Sequence, residues 1–180
     1  PPDYAELGHM MPSGLDIEDK IKEIVKNAIK VLGVDFGAVN MDILVTKENN
    51  VCIIDVGARM GGNLIGSHII SKATGYDYLG NLIKASVNDD IDIPNCKVIN
   101  SVATKILALQ PGMIVGLPDF NKIMRDHNVD IFFNKGVGEV IREYHNNLDG
   151  CGYVLSIGQN LVDVENNSIK MEIALINEIF

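Results

Sequence analysis

The chain has 180 residues, 47% of them hydrophobic, which suits one domain of ordinary size or two small ones. Its 24 acidic and 15 basic side chains leave a net charge of −9, arguing against a nucleic-acid or anionic-membrane partner. No segment is apolar for long enough to span a bilayer. Cys52, Cys96 and Cys151 are odd in number and lack metal-ligand spacing, so they read as reduced thiols of a cytoplasmic protein. The chain opens on Pro1-Pro2-Asp3 without an initiator methionine, which reads as a fragment or a processed product.

Pro1–Gly14 is expected to be irregular at its start and extended over about Tyr4–Met10. Glu6 and His9 stand out there; local sequence alone favours an exposed acid and a packed or surface imidazole. Asp16–Leu32 predicts a helix, with Asp16 as its cap and Asp19 at the positive end of the dipole. Ile17, Ile21, Ile24, Val25, Ala28 and Leu32 form one apolar stripe, and Gly33 supplies the stop. This helix is expected to pack behind the hairpin that follows.

Residues 37–46 alternate, with Val39, Met41, Ile43 and Val45 on one face and Asn40, Asp42, Leu44 and Thr46 on the other. Over Val51–Gly57, Val51, Ile53, Asp55 and Gly57 share one face. The polar run Lys47-Glu48-Asn49-Asn50 is the turn. A two-residue turn at Glu48-Asn49 sets Asp42 opposite Asp55, and one at Asn49-Asn50 makes them diagonal, roughly 4.5–8 Å apart either way. A three-residue turn would put them on opposite faces.

Two carboxylates that close, on apolar strands short of water, persist most cheaply around a cation or with one shared proton. Oxygen-only ligands favour Mg²⁺, which keeps waters and takes substrate phosphates into its shell. Arg59 follows Asp55 closely, and its guanidinium suits bidentate binding of phosphate oxygens. A surface hairpin with two solvated acids and an arginine counter-ion is the competing interpretation.

Gly61-Gly62-Asn63 leads into a helix running to about Thr74 and stopped by Gly75. Glycines before a helix let backbone N–H groups approach an anion, so Gly62 is a candidate donor to a reacting oxygen. The alternative is a plain N-terminal turn with Asn63 as a cap. His68 reads as a core or groove histidine. Asp77–Val87 predicts another helix with Leu79, Leu82, Ile83 and Val87 inward.

A subdomain boundary is expected near Asp90–Pro94, dividing the chain into residues 1–90 and 91–180. Strands follow over Val98–Leu109, Met113–Leu117, Val129–Phe133, Glu139–Tyr144 and Cys151–Ile157. A short helix at Asp119–Asp126 interrupts them, and a final helix spans about Leu161–Glu178, with Leu161, Val164, Ile169, Ile173 and Ile176 facing the core. Lys135, Arg142, His127 and His145 read as solvent-facing charge.

The acid on one strand and Asp55-Val56-Gly57-Ala58-Arg59 on the next resemble the last strands of the ATP-grasp fold. Carboxylate–amine ligases, biotin carboxylase and the carbamoyl-phosphate synthetase large chain share that fold. The family pattern is acid-x-Asn-x-Arg, and Gly57 stands where many members have an Asn metal ligand. This leaves open whether one metal or two are held. The resemblance is strong over about Tyr4–Asn88 and weaker beyond.

It implies an α+β fold, the C-terminal portion of an ATP-grasp domain as an antiparallel sheet with packed helices, followed by a small β-rich C-terminal lobe. It further implies that Asp42 and Asp55 hold Mg²⁺ (or Mn²⁺) of bound ATP. Arg59 and Gly62 would then act on the transferred phosphoryl group. Glu6-Leu7-Gly8-His9 with Pro12-Ser13 matches a motif lining the substrate end in the amino-acid-ligase-like branch. There Glu6 would receive an ammonium and His9 a carboxylate, with Asn63 also at the substrate. The function implied is an ADP-forming ligase that makes an acyl-phosphate from a small carboxylate and passes it to an amine. The nucleotide lobe that such enzymes carry upstream has no counterpart in this sequence. The chain is therefore expected to be inactive alone, and to need the rest of the same protein or a partner chain. A non-catalytic module of ATP-grasp descent, or a split-gene subunit, is the alternative.

Overall fold

The computed structural model describes residues 5–93 and 95–179, apart from the side chains of residues 173 and 176–178. The fold is α+β, with antiparallel sheets and packed helices in two compact units. One unit takes Ser13–Ser71 and Tyr76–Cys96; the other takes the chain up to Pro12, Lys72–Gly75 and everything from Lys97 on. The division between them is thus not a single cut near residue 90. The first strand belongs with residues more than ninety positions later, because it pairs there.

The first unit, the hairpin unit, holds α1 (Glu18–Leu32), β2 (Asn40–Val45), β3 (Val51–Gly57) and α3 (Tyr78–Ser86). A π-helical turn, Ile65–Ile69, runs into the short α2 (Ile70–Thr74), whose residues from Lys72 on count with the other unit and which ends at Gly75 with φ 74°. Helix α1 packs on β3, as its apolar stripe predicts. Its N-cap is Ile17, with no side-chain cap bond, so Asp16 does not cap it. The first helical bond, from Ile21 N–H to the Ile17 carbonyl, starts one residue too late for Asp16 to reach. Leu32 is exposed and Ile29 takes its place in the stripe. In α3, Leu79, Ile83 and Val87 are also exposed, and Tyr78, Leu82 and Ala85 are among the half-buried positions. Asp77 caps that helix by accepting from Gly80 N–H at 2.9 Å.

The sheet unit is built on four antiparallel strands in the order β1 (Gly8–Met11), β4 (Ser101–Ile106), β8 (Gly152–Gly158), β6 (Val129–Phe133). A two-stranded ribbon pairs β5 (Gly112–Met113) with β7 (Val140–Ile141). Helices α4 (Phe120–His127) and α5 (Leu161–Ile179) complete the unit, and α5 packs across β4 and β8. The core between them contains Leu107, Ile123, Cys151, Val154, Met171 and Leu175. Several strands are shorter than the hydrophobic runs that announced them. Of the expected strand at Met113–Leu117 only Met113 lies in the β-ladder, and of that at Glu139–Tyr144 only Val140–Ile141, with Ile114 N–H still donating to the Glu139 carbonyl at 3.0 Å. In α5, Val164, Ser168, Met171 and Leu175 face inward, whereas Ile169 is exposed; the side chains of Ile173 and Ile176 lie outside the described residues. Tyr4, the expected start of the first strand, lies outside them as well. No helix among the described residues is long and apolar enough to cross a membrane.

Two glycines allow the strands to approach this closely. A Cβ at Gly8 would stand 2.0 Å from the Thr104 carbonyl oxygen, and one at Gly152 only 1.8 Å from that of Phe132. Gly152 also holds φ at 127°, which side chains rarely adopt. Gly152→Ala should therefore cost about 2–3 kcal/mol of stability, read as a lower denaturant midpoint. Burial likewise pushes the Cys151 thiol above its ordinary pKa. Cys52 and Cys96, both exposed, should react with a thiol reagent in the native protein, and Cys151 only on unfolding.

Candidate functional site

In the hairpin unit the turn consists of three residues. Thr46 N–H donates to the Asn50 carbonyl at 2.9 Å, and Asn49, between them, sits at φ 59°. By itself this turn sets Val45 opposite Val51 and Ile43 opposite Ile53, and it would send Asp42 and Asp55 to opposite faces. A β-bulge between these pairs adds Ile54 to β3 and shifts the register, so that Asp42 pairs directly with Asp55. The carboxylates consequently share a face, with Cβ atoms about 4.5–5.5 Å apart as cross-strand partners. The same bulge takes Asp55 off the face it was expected to share with Val51 and Ile53. Those two remain half-buried while Asp55 is exposed.

The face that carries the acids is open. Leu44 is 55% and Ile54 65% exposed, and Cys52 is exposed too. The expectation that apolar strands would leave the carboxylates short of water is not met. Solvent screens their repulsion, so the hairpin does not need a cation in order to fold. Asn40 Nδ2 lies 3.4 Å from Asp42 Oδ1. Among the described residues no group of three His, Cys, Asp or Glu side chains is placed to hold a metal, so the two aspartates stand as a pair.

Arg59 is set by what precedes it. Its N–H donates to the Gly57 carbonyl at 2.8 Å, turning the chain sharply off the end of β3. The side chain then lies across Gly57, where a Cβ would come within 3.3 Å of Arg59 Cγ and 3.5 Å of Nε. A larger residue at 57 would compete with the arginine for that space. The guanidinium donates to the Met60 carbonyl at 3.0 Å, and no carboxylate among the described residues forms an ion pair with it.

The loop that follows is tied back to β2. Gly61 is buried, and a Cβ there would stand 2.9 Å from Asn40 Oδ1. Gly62 is exposed, with open space where a side chain would be, and no acceptor among the described residues takes its N–H. Asn63 and Leu64 both adopt left-handed backbone conformations, at φ 49° and 69°. Leu64, not Asn63, is the N-cap of the π-helical turn, and no side chain caps it. Ser67 Oγ and His68 Nδ1 are hydrogen-bonded at 2.8 Å within that turn.

In the sheet unit, β1 carries His9 opposite Thr104, whose Oγ1 accepts from His9 N–H at 3.3 Å. His9 Nε2 is sealed from solvent, has no hydrogen-bond partner among the described residues, and lies 3.9 Å from Glu6 Oε2. Glu6 is held by two residues that the sequence reading missed. Asn147 Nδ2 donates to Glu6 Oε2 at 3.0 Å, and Tyr144 donates to the Glu6 carbonyl. The Asn146…Asp149 capping box announces a local turn but gives no sign of its distant partner. Lys135 and His145, expected to be solvent-facing charges, pair locally with Glu139 and Glu143.

No family model matches the sequence, and no curated protein matches it. Solved structures do, and they define the fold as that of ATP-grasp ligases. Phosphoribosylglycinamide synthetase from Anaerococcus prevotii superposes with TM-score 0.77 at 23% identity, over 98% of this chain and 45% of that one. L-amino acid ligase from Bacillus licheniformis does so with TM-score 0.83 at 17% identity, over 97% and 46%. Biotin carboxylase from Campylobacter jejuni, solved as a β-γ-ATP complex, gives 0.66 at 16%, over 97% and 39%. The chain thus spans less than half the length of the ligases whose fold it shares.

Tyr144 offers a direct check on the anchoring of Glu6. Burial first, and then the neighbouring Glu6, Tyr153 and Asp149, raise its pKa above the usual 10.0. A raised folded-state pKa means that its stabilisation is complete below the unfolded value and is lost as pH rises through the folded one. The phenol should therefore stay protonated past pH 10, and Tyr144→Phe should remove one late-titrating phenolate from the ultraviolet absorbance titration.

Proposed function

We propose that this chain supplies the metal- and phosphate-binding half of an ADP-forming carboxylate–amine ligase. The observation that carries the proposal is the direct Asp42–Asp55 pairing, with Arg59 seated at the end of the same strand. The shared fold supports the reading, as do the oxygen-only donors. A pair of carboxylates with no third His, Cys, Asp or Glu beside it among the described residues suits Mg²⁺ (or Mn²⁺), whose remaining positions would be taken by water and ATP phosphate oxygens. When bound, the ion would neutralise charge on the phosphoryl oxygens.

The chain's own residues do the rest by position and charge. Arg59 presents a guanidinium, not engaged by any described carboxylate, to the transferring phosphoryl group. Gly62 offers its N–H to the oxygen on which negative charge develops. Glu6 receives a substrate ammonium and His9 a substrate carboxylate, with Asn63 assigned to the substrate as well. The products would be an acyl-phosphate and ADP; attack by an amine then releases phosphate.

Gly57, in the place of a common Asn ligand, favours a site with fewer side-chain ligands instead of a site that has decayed, because it is the residue across which Arg59 lies. Since the chain spans under half the length of the ligases that it resembles, we assign the nucleotide lobe to another segment or to a partner chain. The 180 residues alone would then turn over little or no ATP. The cytoplasm is the compartment proposed.

In the intact protein, Asp42→Asn and Asp55→Asn should each weaken Mg²⁺-dependent ATP binding about tenfold or more in titration calorimetry. Asp89→Asn, just after α3 and outside the hairpin, should leave it unchanged. Equal affinity in all three variants and the parent would sink the metal assignment. ATP-dependent ligation by the isolated chain would refute its dependence on a second half.

A further inference from the structure

Glu6 and His9 sit near one end of the sequence, but Glu6 is anchored from the other. Asn147 Oδ1 accepts from Glu6 N–H at 3.2 Å while Asn147 Nδ2 donates to Glu6 Oε2 at 3.0 Å. Tyr144 donates to the Glu6 carbonyl, and its hydroxyl also lies 3.1 Å from Asn147 Oδ1. Two side chains thus engage the backbone donor, the backbone acceptor and one carboxylate oxygen of a single residue. Long acidic side chains at exposed positions ordinarily sample several rotamers, so holding one this way costs side-chain entropy.

The support is itself fixed. Asn146 Oδ1 accepts from Leu148 N–H at 2.9 Å, and Asp149 Oδ2 accepts from Asn146 N–H at 3.1 Å and His145 N–H at 3.2 Å. His9, meanwhile, is fixed from a separate element through β4. The two supports leave Glu6 Oε2 and His9 Nε2 3.9 Å apart, beyond hydrogen-bonding distance, with the imidazole nitrogen buried and unpartnered among the described residues. At that separation the Glu6 carboxylate is the charged group set beside the buried nitrogen.

We propose that Asn147 and Tyr144 are positioning residues, which hold the Glu6 carboxylate at a set distance from His9 so that the pair receives an α-amino acid by its ammonium and carboxylate groups. This rests on the assignment of Glu6 and His9 to the substrate end. Neither Asn147 nor Tyr144 need touch the substrate; each acts through Glu6.

The test is calorimetric titration of the intact protein with each of the twenty free α-amino acids. It uses Glu6→Gln, Asn147→Ala, Tyr144→Phe, Asn147→Gln and the Glu6→Gln/Asn147→Ala double variant. One or more amino acids should bind the parent, and Glu6→Gln should weaken that binding. Asn147→Ala should weaken it about tenfold and Tyr144→Phe by less, with Asn147→Gln restoring part of the loss by keeping the amide donor. In the Glu6→Gln background, Asn147→Ala should add less than about twofold, because the residue through which it acts is already impaired.

If Glu6→Gln weakens binding but Asn147→Ala and Tyr144→Phe do not, the positioning role is overturned and the substrate assignment stands. A loss from Asn147→Ala that is the same size in both backgrounds marks a merely structural residue and also overturns the role. If no amino acid binds the parent, or Glu6→Gln binds like the parent, the substrate assignment and the positioning role fall together.

Discussion

Asp42 and Asp55 face each other only because two irregularities of the hairpin cancel. A three-residue turn puts β2 and β3 in a register that would separate the carboxylates, and the single extra residue at Ile54 restores it. Since side chains on a strand alternate with period two, any odd shift moves every following side chain to the other face. Without the bulge Asp55 would fall in with Ile53 and Val51 against α1, where a charge is expensive. With it, the acid meets its partner on the open face and the apolar residues stay where the helix covers them. The bulge thereby satisfies both the packing of the hairpin and the pairing of the acids.

Glycine plays a similar part beyond the strand. At Gly57 and Gly61 the missing side chains leave room for the Arg59 stem and the Asn40 amide, which set the course of the loop. In the sheet unit, Gly8 and Gly152 let backbones approach more closely than a methyl group permits. Gly8 lies within the strand that bears His9, so the position of the imidazole depends on close pairing with β4. At both places, candidate site residues are placed by neighbours with no side chain at all.

The parts of the structure that depend on near neighbours were legible in the sequence. Alternation marked β2 and β3, the 3.6-residue stripe marked α1, and Gly33 and Gly75 marked helix ends that fall where expected. Asp42, Asp55 and Arg59 were legible as candidates because they lie within one hairpin. The bulge was not, since an exposed Ile54 among apolar residues carries no mark of being the extra one. The direct pairing of the two acids therefore arises by a route other than the two-residue turn that predicted it. Along α3 and α5, Ile83 and Ile169 are exposed despite their place in the apolar pattern, because periodicity sets the stripe but not its width. Contacts between distant residues could not be read at all. The first strand joins residues more than ninety positions away, and Glu6 meets Asn147 across 141. Neither end carries a pattern that specifies the other.

The account comes down to whether the paired aspartates bind one divalent ion together. Paramagnetic broadening by Mn²⁺, followed in amide NMR spectra of the chain, reads this without requiring turnover or nucleotide. Substoichiometric Mn²⁺ should broaden the resonances of Asp42, Asp55 and their cross-strand neighbours first, Mg²⁺ should reverse the effect, and Asp55→Asn should abolish it. Broadening that begins at other acidic surfaces, or that persists unchanged in Asp55→Asn, would contradict the shared site.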